Sequence, residues 1–429
     1  MVRDPRVQNN ARRRGAVTAW LLVGLVVIIG IVAIGMDGGR MLDKRRHAQA
    51  AADAAALAGA ASVFQIDITQ YGNASGNKRT NAQTAGLAQA AANGFNNDGI
   101  TSTVTVNYPP SSGVFAGQAD FVEAIVQYNL PKSFGGIFTK NNLPVSARAV
   151  AVGRPIQLGV LALQQTGSST FRFDAKGNMT VNNGAVFVNS SDAAAMAVSN
   201  KGNLSAASFS VTGNYTNTGT VQGQVYTSTH RVPDPLLALP VPDASGLSVQ
   251  SSGPLSIGSA AVLAPGIYKG GINIGGSAVV LMLPGLYVMQ GGGFQITGSA
   301  DVVGLTPLIY NTTGTGLAGP ININSTGAVA LTASPTGAYQ GISIIQDRAL
   351  TQPLTLTGNG STFIGGAVYA PAAPVNLAGN DRQKGDTLGT AIICASLYVG
   401  GNGNSGSDGN FTIDTTVNPL LVPQVTLVE

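Results

Sequence analysis

A mostly β fold carried on one N-terminal apolar helix is what the sequence predicts, and three observations predict it. Glycine supplies 57 of the 429 residues, about twice the usual share, so turns must be frequent. Ala16 to Met36 form 21 consecutive residues without a charge. After residue 250 an internal repeat appears: Gly-Ser-Ala recurs at 258, 276 and 298, Pro-Gly-Ile-Tyr at 265–268 returns as Pro-Gly-Leu-Tyr at 284–287, and Gly270-Gly271-Ile272-Asn273-Ile274 is answered by Gly292-Gly293-Phe294-Gln295-Ile296.

Taken in order, residues 1–15 form a basic tip, with Arg3, Arg6, Arg12, Arg13 and Arg14 against Asp4 alone. Residues 16–36 rise about 31 Å as a helix, the thickness of a hydrocarbon core, and so predict a transmembrane helix. A secretory signal has an apolar region of only about 7 to 15 residues, which favours a retained anchor. The basic residues before the span place the N-terminus in the cytoplasm and the bulk of the chain outside it. Residues 37–62 predict a helical extension, since ten of residues 48–61 are alanine, the best helix former. Gly38-Gly39 is the expected hinge. The alanine surface fits either a solvated spacer or the close approach of a second helix. His47, four residues after Asp43, reads as a helix-surface pair.

Residues 63–155 predict a small α/β domain: a helix over 81–95, then strands at 101–108, 120–130 and 144–152, with a helical turn at 131–138. A long helix followed by a small sheet is a pilin-like layout. From residue 156 to 429, strands of three to five residues repeat every 18 to 22 residues, the signature of coils in a parallel β-helix. A single coil cannot bury its apolar side, so coils stack and enclose one column of side chains. A β-sandwich is the alternative, because many short strands with frequent turns also fit it. The Pro-rich stretch 230–245 reads as a crossing loop or seam between two groups of coils.

Composition excludes several classes. Residues 15–429 carry 18 charges of each sign, so no basic face is available for nucleic acid. One Cys and two His provide neither an internal disulfide nor a His-rich metal cage. No cofactor is expected. Cys394, within Ala391-Ile392-Ile393-Cys394-Ala395, reads as a small buried hydrophobe. Gly401 to Gly406 formally match a dinucleotide pattern, but no helix follows to receive a phosphate. A β-helix that cleaves polysaccharide would gather carboxylates on successive coils. The acids available are Asp301, Asp347 with Arg348, and Asp381 with Arg382, Lys384 and Asp386; no pair repeats at coil spacing, so no catalytic residue is assigned.

The order of features in residues 12–62 is specific. An Arg-Arg-Gly start, an apolar span, Asp37 with Gly39-Arg40, a basic patch and the Ala-Ala-Asp-Ala-Ala-Ala-Leu-Ala block at 51–58 occur together. This stretch resembles the N-terminal region of TadG-like proteins of the Flp (tight-adherence) pilus-assembly system. The resemblance implies a single-pass cytoplasmic-membrane or envelope protein with a role in pilus assembly or surface adhesion, and no catalytic residues. Prepilin processing is not implied, because the fifth residue after Gly15 is Trp20 where such substrates carry Glu. VPDPLLALPVP, YQGISIIQDR and IGGAVYAP also resemble C-terminal regions attached to some TadG-like anchors, which look like right-handed β-helices. The expectation is a non-catalytic anchored protein whose partners are the lipid bilayer through residues 16–36 and other pilus-assembly components or envelope glycans. A tethered polysaccharide-binding or polysaccharide-cleaving β-helix is the alternative.

Overall fold

The structure, a computed structural model, describes residues 6–63, 78–131, 143–199, 202–314, 317–358, 360–379, 386–400, 410–416 and 419–429. The chain divides into two compact units, one of Met1–Gln65, Ala74–Arg154 and Pro423–Glu429, the other of Ile66–Asn73 and Pro155–Val422.

The smaller unit is organised by α1, Arg6–Val63, a helix of 58 residues and about 87 Å at 1.5 Å per residue. It runs unbroken through Gly38-Gly39, so the expected hinge is not formed. Its C-terminal part buries Ala48, Ala51, Ala52, Ala55, Ala56, Ala60 and Val63, a stripe at helical spacing. Against this stripe lies α2, Lys78–Ala92, which buries Ala82, Gly86 and Ala90. The approach is close: a Cβ on Gly86 would stand 3.1 Å from the Ala55 carbonyl oxygen, and one on Gly59 would stand 3.2 Å from that of Ala82. The alanine surface is therefore a packing face and not a solvated spacer. Three antiparallel strands pack with these helices, β1, Ser102–Asn107, β2, Phe121–Leu130, and the first part of β3, Leu143–Ala162, and the C-terminal residues bond to β3 at Val150. In β1 the valines at 104 and 106 face inward and the threonines at 103 and 105 outward, the period of two that a half-buried strand requires. Apart from Pro131, the turn expected at 131–138 lies outside the described residues.

The larger unit is a parallel β-solenoid. Three columns of hydrogen-bonded strands stack along it, and among the described residues each column carries at least ten strands. One column includes Gly266–Lys269, Gly285–Gln290 and Pro307–Thr312. The second includes Ile272–Ile274, Phe294–Gly298 and Ile321–Ser325, and the third Val279–Met282, Asp301–Gly304 and Ala328–Leu331. Among the described residues the ladders of the three columns are all parallel, which excludes the sandwich, an antiparallel architecture. Inward side chains stack like on like, with Ile272 on Phe294 on Ile321 and Val280 on Val302 on Val329. Each fully buried Ile, Leu or Phe contributes roughly 1.5–3 kcal/mol.

The three sequence repeats are the corners and walls of this solenoid. Gly276 and Gly298 have φ of 64° and 72°, and a Cβ on Gly298 would lie 2.7 Å from the Gly276 carbonyl oxygen. Gly292, at φ 68°, leaves no room for a Cβ against the Gly270 carbonyl. In the Pro-Gly-Ile/Leu-Tyr repeat, Tyr268 and Tyr287 stack inside the column with centroids 6.0 Å apart and planes 11° from parallel. Burial is tolerated because the Tyr268 hydroxyl donates to the Ala264 carbonyl, and that of Tyr287 to the carbonyls of Leu263 and Leu283.

The coils do not follow the chain. Coils within 158–226 form one group and those within 249–414 the other, and the groups join where Ile393 pairs with Leu161, Val399 with Phe173 and Ile413 with Val181. The last coil of the later group thus stacks on the first coil of the earlier one. Residues between the groups, including the Pro-rich stretch, travel back along the first column. There Leu236 and Leu239 cover outward-facing Ile345, Tyr369 and Ile393 in a second apolar layer.

Candidate functional site

Helix α1 has two faces of life along its length. From Trp20 to Met36 its large apolar side chains are exposed, Trp20 by 78% and Ile28 by 60%, and a Cβ placed on Gly24, Gly30 or Gly35 would meet nothing beyond the helix itself within 4 Å. An 18-residue window within Ala19–Val63 reaches a mean hydropathy of 2.8 with none of it buried, which makes α1 long and apolar enough to cross a membrane. The following basic segment is tied to the small unit. The Lys44 ammonium lies 5.2 Å from the Tyr128 ring centroid, and the His47 ring meets Phe95 edge-on at 5.3 Å. His47 is thus an aromatic packing residue of this unit.

The small unit also holds a polar cluster that composition did not announce. Glu123, fully buried on β2, receives the Arg148 Nε at 2.6 Å. It also accepts from Asn107 Nδ2, the Ser111 amide and hydroxyl, and the Ser112 hydroxyl. Arg148 in turn pairs with Glu429 at 2.7 Å and donates to the Ser112 carbonyl. Burial alone would raise the Glu123 pKa, but the donors from Ser112, Ser111, Asn107 and Arg148 outweigh it and hold the carboxyl at about 2. The available signal was an acid set among the apolar residues of one strand, diagonal to an Arg in the next, since Glu123 pairs with Val150 and Arg148 with Ile125.

In the solenoid, Asp347 and Arg348 sit beneath the returning Pro-rich segment. Asp347 accepts from the Tyr310 and Thr312 hydroxyls, both at 3.0 Å, and from the Ala349 amide. Arg348 donates to the Tyr369 hydroxyl at 2.9 Å and to the carbonyls of Leu236 and Leu239, each at 2.8 Å. The Tyr369 hydroxyl donates onward to Asp234 at 2.7 Å. Arg231 and Val232 are held similarly by Asn189, and the Tyr339 hydroxyl donates to the Pro240 carbonyl. These groups form a clasp that straps 231–240 to the first column; the shallow crevice they leave is walled by Pro240, Val241, Ile345 and Tyr369.

The other acids do not join them. Asp301 is exposed on the third column and accepts the Ala328 amide at 2.7 Å. Asp386 lies three coils further along that column, about 14 Å at 4.8 Å per coil, and faces inward, where it accepts the Thr362 amide. Asp381, Arg382, Lys384 and the Gly401–Gly406 stretch lie outside the described residues. Among the described residues no three of His, Cys, Asp and Glu come together. Cys394 is fully buried within the first column, and burial pushes its thiol pKa up, away from the thiolate that nucleophilic chemistry needs. A second, open depression on the third column is lined by Thr180, Asn182, Ser205, Asp414 and Thr416, a polar surface suited to hydrogen bonding.

The features together define a long exposed apolar helix joined to a small helix-and-sheet unit and a parallel β-solenoid. Residues 15–62 match the family model described as putative Flp pilus-assembly TadE/G-like. The N-terminal segment is therefore TadE/G-like, and the match supports an envelope role related to pilus assembly. No curated protein and no solved structure matches the chain.

Proposed function

We propose that this is a single-pass protein of the cytoplasmic membrane, anchored through residues 16–36 with its N-terminus in the cytoplasm, that presents its solenoid outside as a non-catalytic structural or adhesive element of Flp-type pilus assembly. The carrying observation is the exposed apolar length of α1 from Trp20 to Met36, inside the segment that matches the TadE/G-like model. A bilayer removes that surface from water, and an aqueous setting leaves it unpaid for. The absence of turnover is supported by the acids' existing commitments: Asp347 is taken up by the Tyr310 and Thr312 hydroxyls, Asp301 caps a backbone amide, and Asp386 faces the interior.

Membrane fractionation tests the anchor. The native protein is expected in the alkaline-carbonate-resistant membrane fraction, with the solenoid open to protease only from the outer side. Ile28→Arg, which costs roughly 2.5–3.5 kcal/mol of insertion at a helix centre, is expected to shift part of it to the soluble fraction. Native protein recovered wholly in the cytosol would overturn the reading. A deletion strain that assembles surface pili in normal number would remove the pilus role. For the glycan alternative, the depression at Thr180 and Asn182 offers hydrogen-bonding groups; glycan binding that survives Asp301→Ala and Asp347→Ala would support binding, and glycan cleavage lost on those changes would support an enzyme.

A further inference from the structure

Among the described residues, the three parallel ladders of the solenoid stop at both ends without a cap. At one end, strands Val249–Ser251, Leu255–Ile257 and Ala261–Leu263 pair only with the coil that follows them. At the other, Tyr215–Asn217 and Thr220–Tyr226 pair only with the coil before them. The side chains that should close the interior are only partly buried at these rungs: Leu255, Ile257 and Ala261 at the first end, Tyr215, Val221 and Val225 at the second.

Native sheets protect such edges with charge, proline within the strand or a covering element. Residues 244–268 contain no charged side chain, and neither do residues 202–229. Pro254 and Pro265 precede strands and do not interrupt them. The same molecule already contains the contact these ends are shaped for. Coil 392–414 stacks on coil 158–182 through all three columns, although the two are remote in sequence, with Leu397 on Phe171 and Phe411 on Met179. End-on docking of one group of coils on another in parallel register is thus part of this fold.

We propose that the exposed rungs are docking faces for a second copy of this chain, so that the Thr220–Tyr226 end of one solenoid continues onto the Val249–Leu263 end of the next. The two faces are opposite ends of the same ladders and hence complementary, whereas a different protein would need its own three-sided parallel coil. The contact is head-to-tail and repeats in the same sense at every step, so translation along the axis builds an open filament. This inference rests on the solenoid and not on the membrane or pilus reading.

The test uses the full chain in detergent, followed by sedimentation velocity over a concentration series and by electron microscopy. The native chain is expected to give species at whole-number multiples of the protomer mass, seen as solenoids joined end to end. Val262, 64% exposed, and Gln222, also exposed, both point outward on third-column terminal strands. The double variant V262K/Q222K sets like charges across the contact and is expected to remain a protomer with an unchanged circular dichroism spectrum and melt. V262K/Q222E restores opposite charges and is expected to regain assembly. A native chain that stays a protomer at every concentration, or until another envelope protein is added, overturns the proposal. So does assembly that persists undiminished in V262K/Q222K.

Discussion

Glu123 is the residue on which the small unit's acid stability turns. Its pKa is lowered from 4.5 to about 2 in the folded chain, so its ionised form is favoured by folding. The contribution is fully present above about pH 4.5 and is lost as the pH falls through 2. A thermal melt of the small unit followed by circular dichroism is expected to drop across that window, and Glu123→Gln to flatten the drop. Glu123→Ala, which leaves the Arg148 guanidinium with only Glu429 and the Ser112 carbonyl, is expected to cost about 3 kcal/mol at neutral pH; a loss under half that would show that these two partners suffice for Arg148. Arg348 is a comparable single point in the solenoid. Removing it leaves the Leu236 and Leu239 carbonyls without their charged donor, a loss of about 2 kcal/mol for a charge-assisted pair of bonds. Arg348→Ala is expected to speed limited proteolysis within 231–245 while leaving the solenoid's melt nearly in place. Unchanged cleavage there would mean that the apolar layer, not the clasp, retains the strap.

At the scale of elements, the corners carry the fold, and their chemistry explains what the sequence could disclose. Gly258, Gly276 and Gly298 open the same tripeptide, yet the structure treats them differently. Gly258 is on the terminal coil with open space around it, whereas Gly298 combines φ of 72° with a carbonyl 2.7 Å from its missing Cβ. Gly298→Ala is expected to destabilise by about 1–2 kcal/mol for the left-handed backbone alone, with the close contact adding to it, and Gly258→Ala to stay within about 0.5 kcal/mol. Equal effects on the melting temperature would contradict this account of the repeat. Stacked corners impose the same backbone need coil after coil, so they recur visibly, as the tyrosine pairs do. Strands β1 and β2 were legible from their alternation. The clasp was not: Asp347-Arg348 reads the same as a surface pair or a half-built acid site, because its partners, Leu236, Leu239 and Tyr369, are distant in sequence. Glu123 escaped notice for the same reason, its donors being gathered from a turn and a neighbouring strand.

For the solenoid as a whole, the class was legible and the coil order was not. Inward residues of a parallel ladder form one interchangeable apolar set, so nothing in Ile392–Gly400 marks it as the partner of Phe171–Asp174 and not of a later coil. The order is decided by which open ends remain when each group has wound, and by the strap that sets where the second group begins. This makes the two groups mutually dependent. Without residues 249–414, the first coil would expose Phe171, Phe173 and Met179, all fully buried in the intact unit, and that end would lose the ladders supplied by Leu397, Val399 and Phe411. Pairing Ile393 with Leu161 also closes a very long loop before it gains any contact, which makes the junction a late and slow event in folding. A chain divided between Asp243 and Ala244, in the exposed part of the connection, separates the groups without cutting a strand. Each half expressed alone is expected to be aggregated or protease-sensitive, and the two expressed together to co-purify with a protease-resistant solenoid, because the junction needs only that both ends be present. If residues 1–243 alone give a cooperative melt and a resistant core, the earlier group is self-sufficient, and the end-on junction is a docking of two finished units instead of the step that completes either.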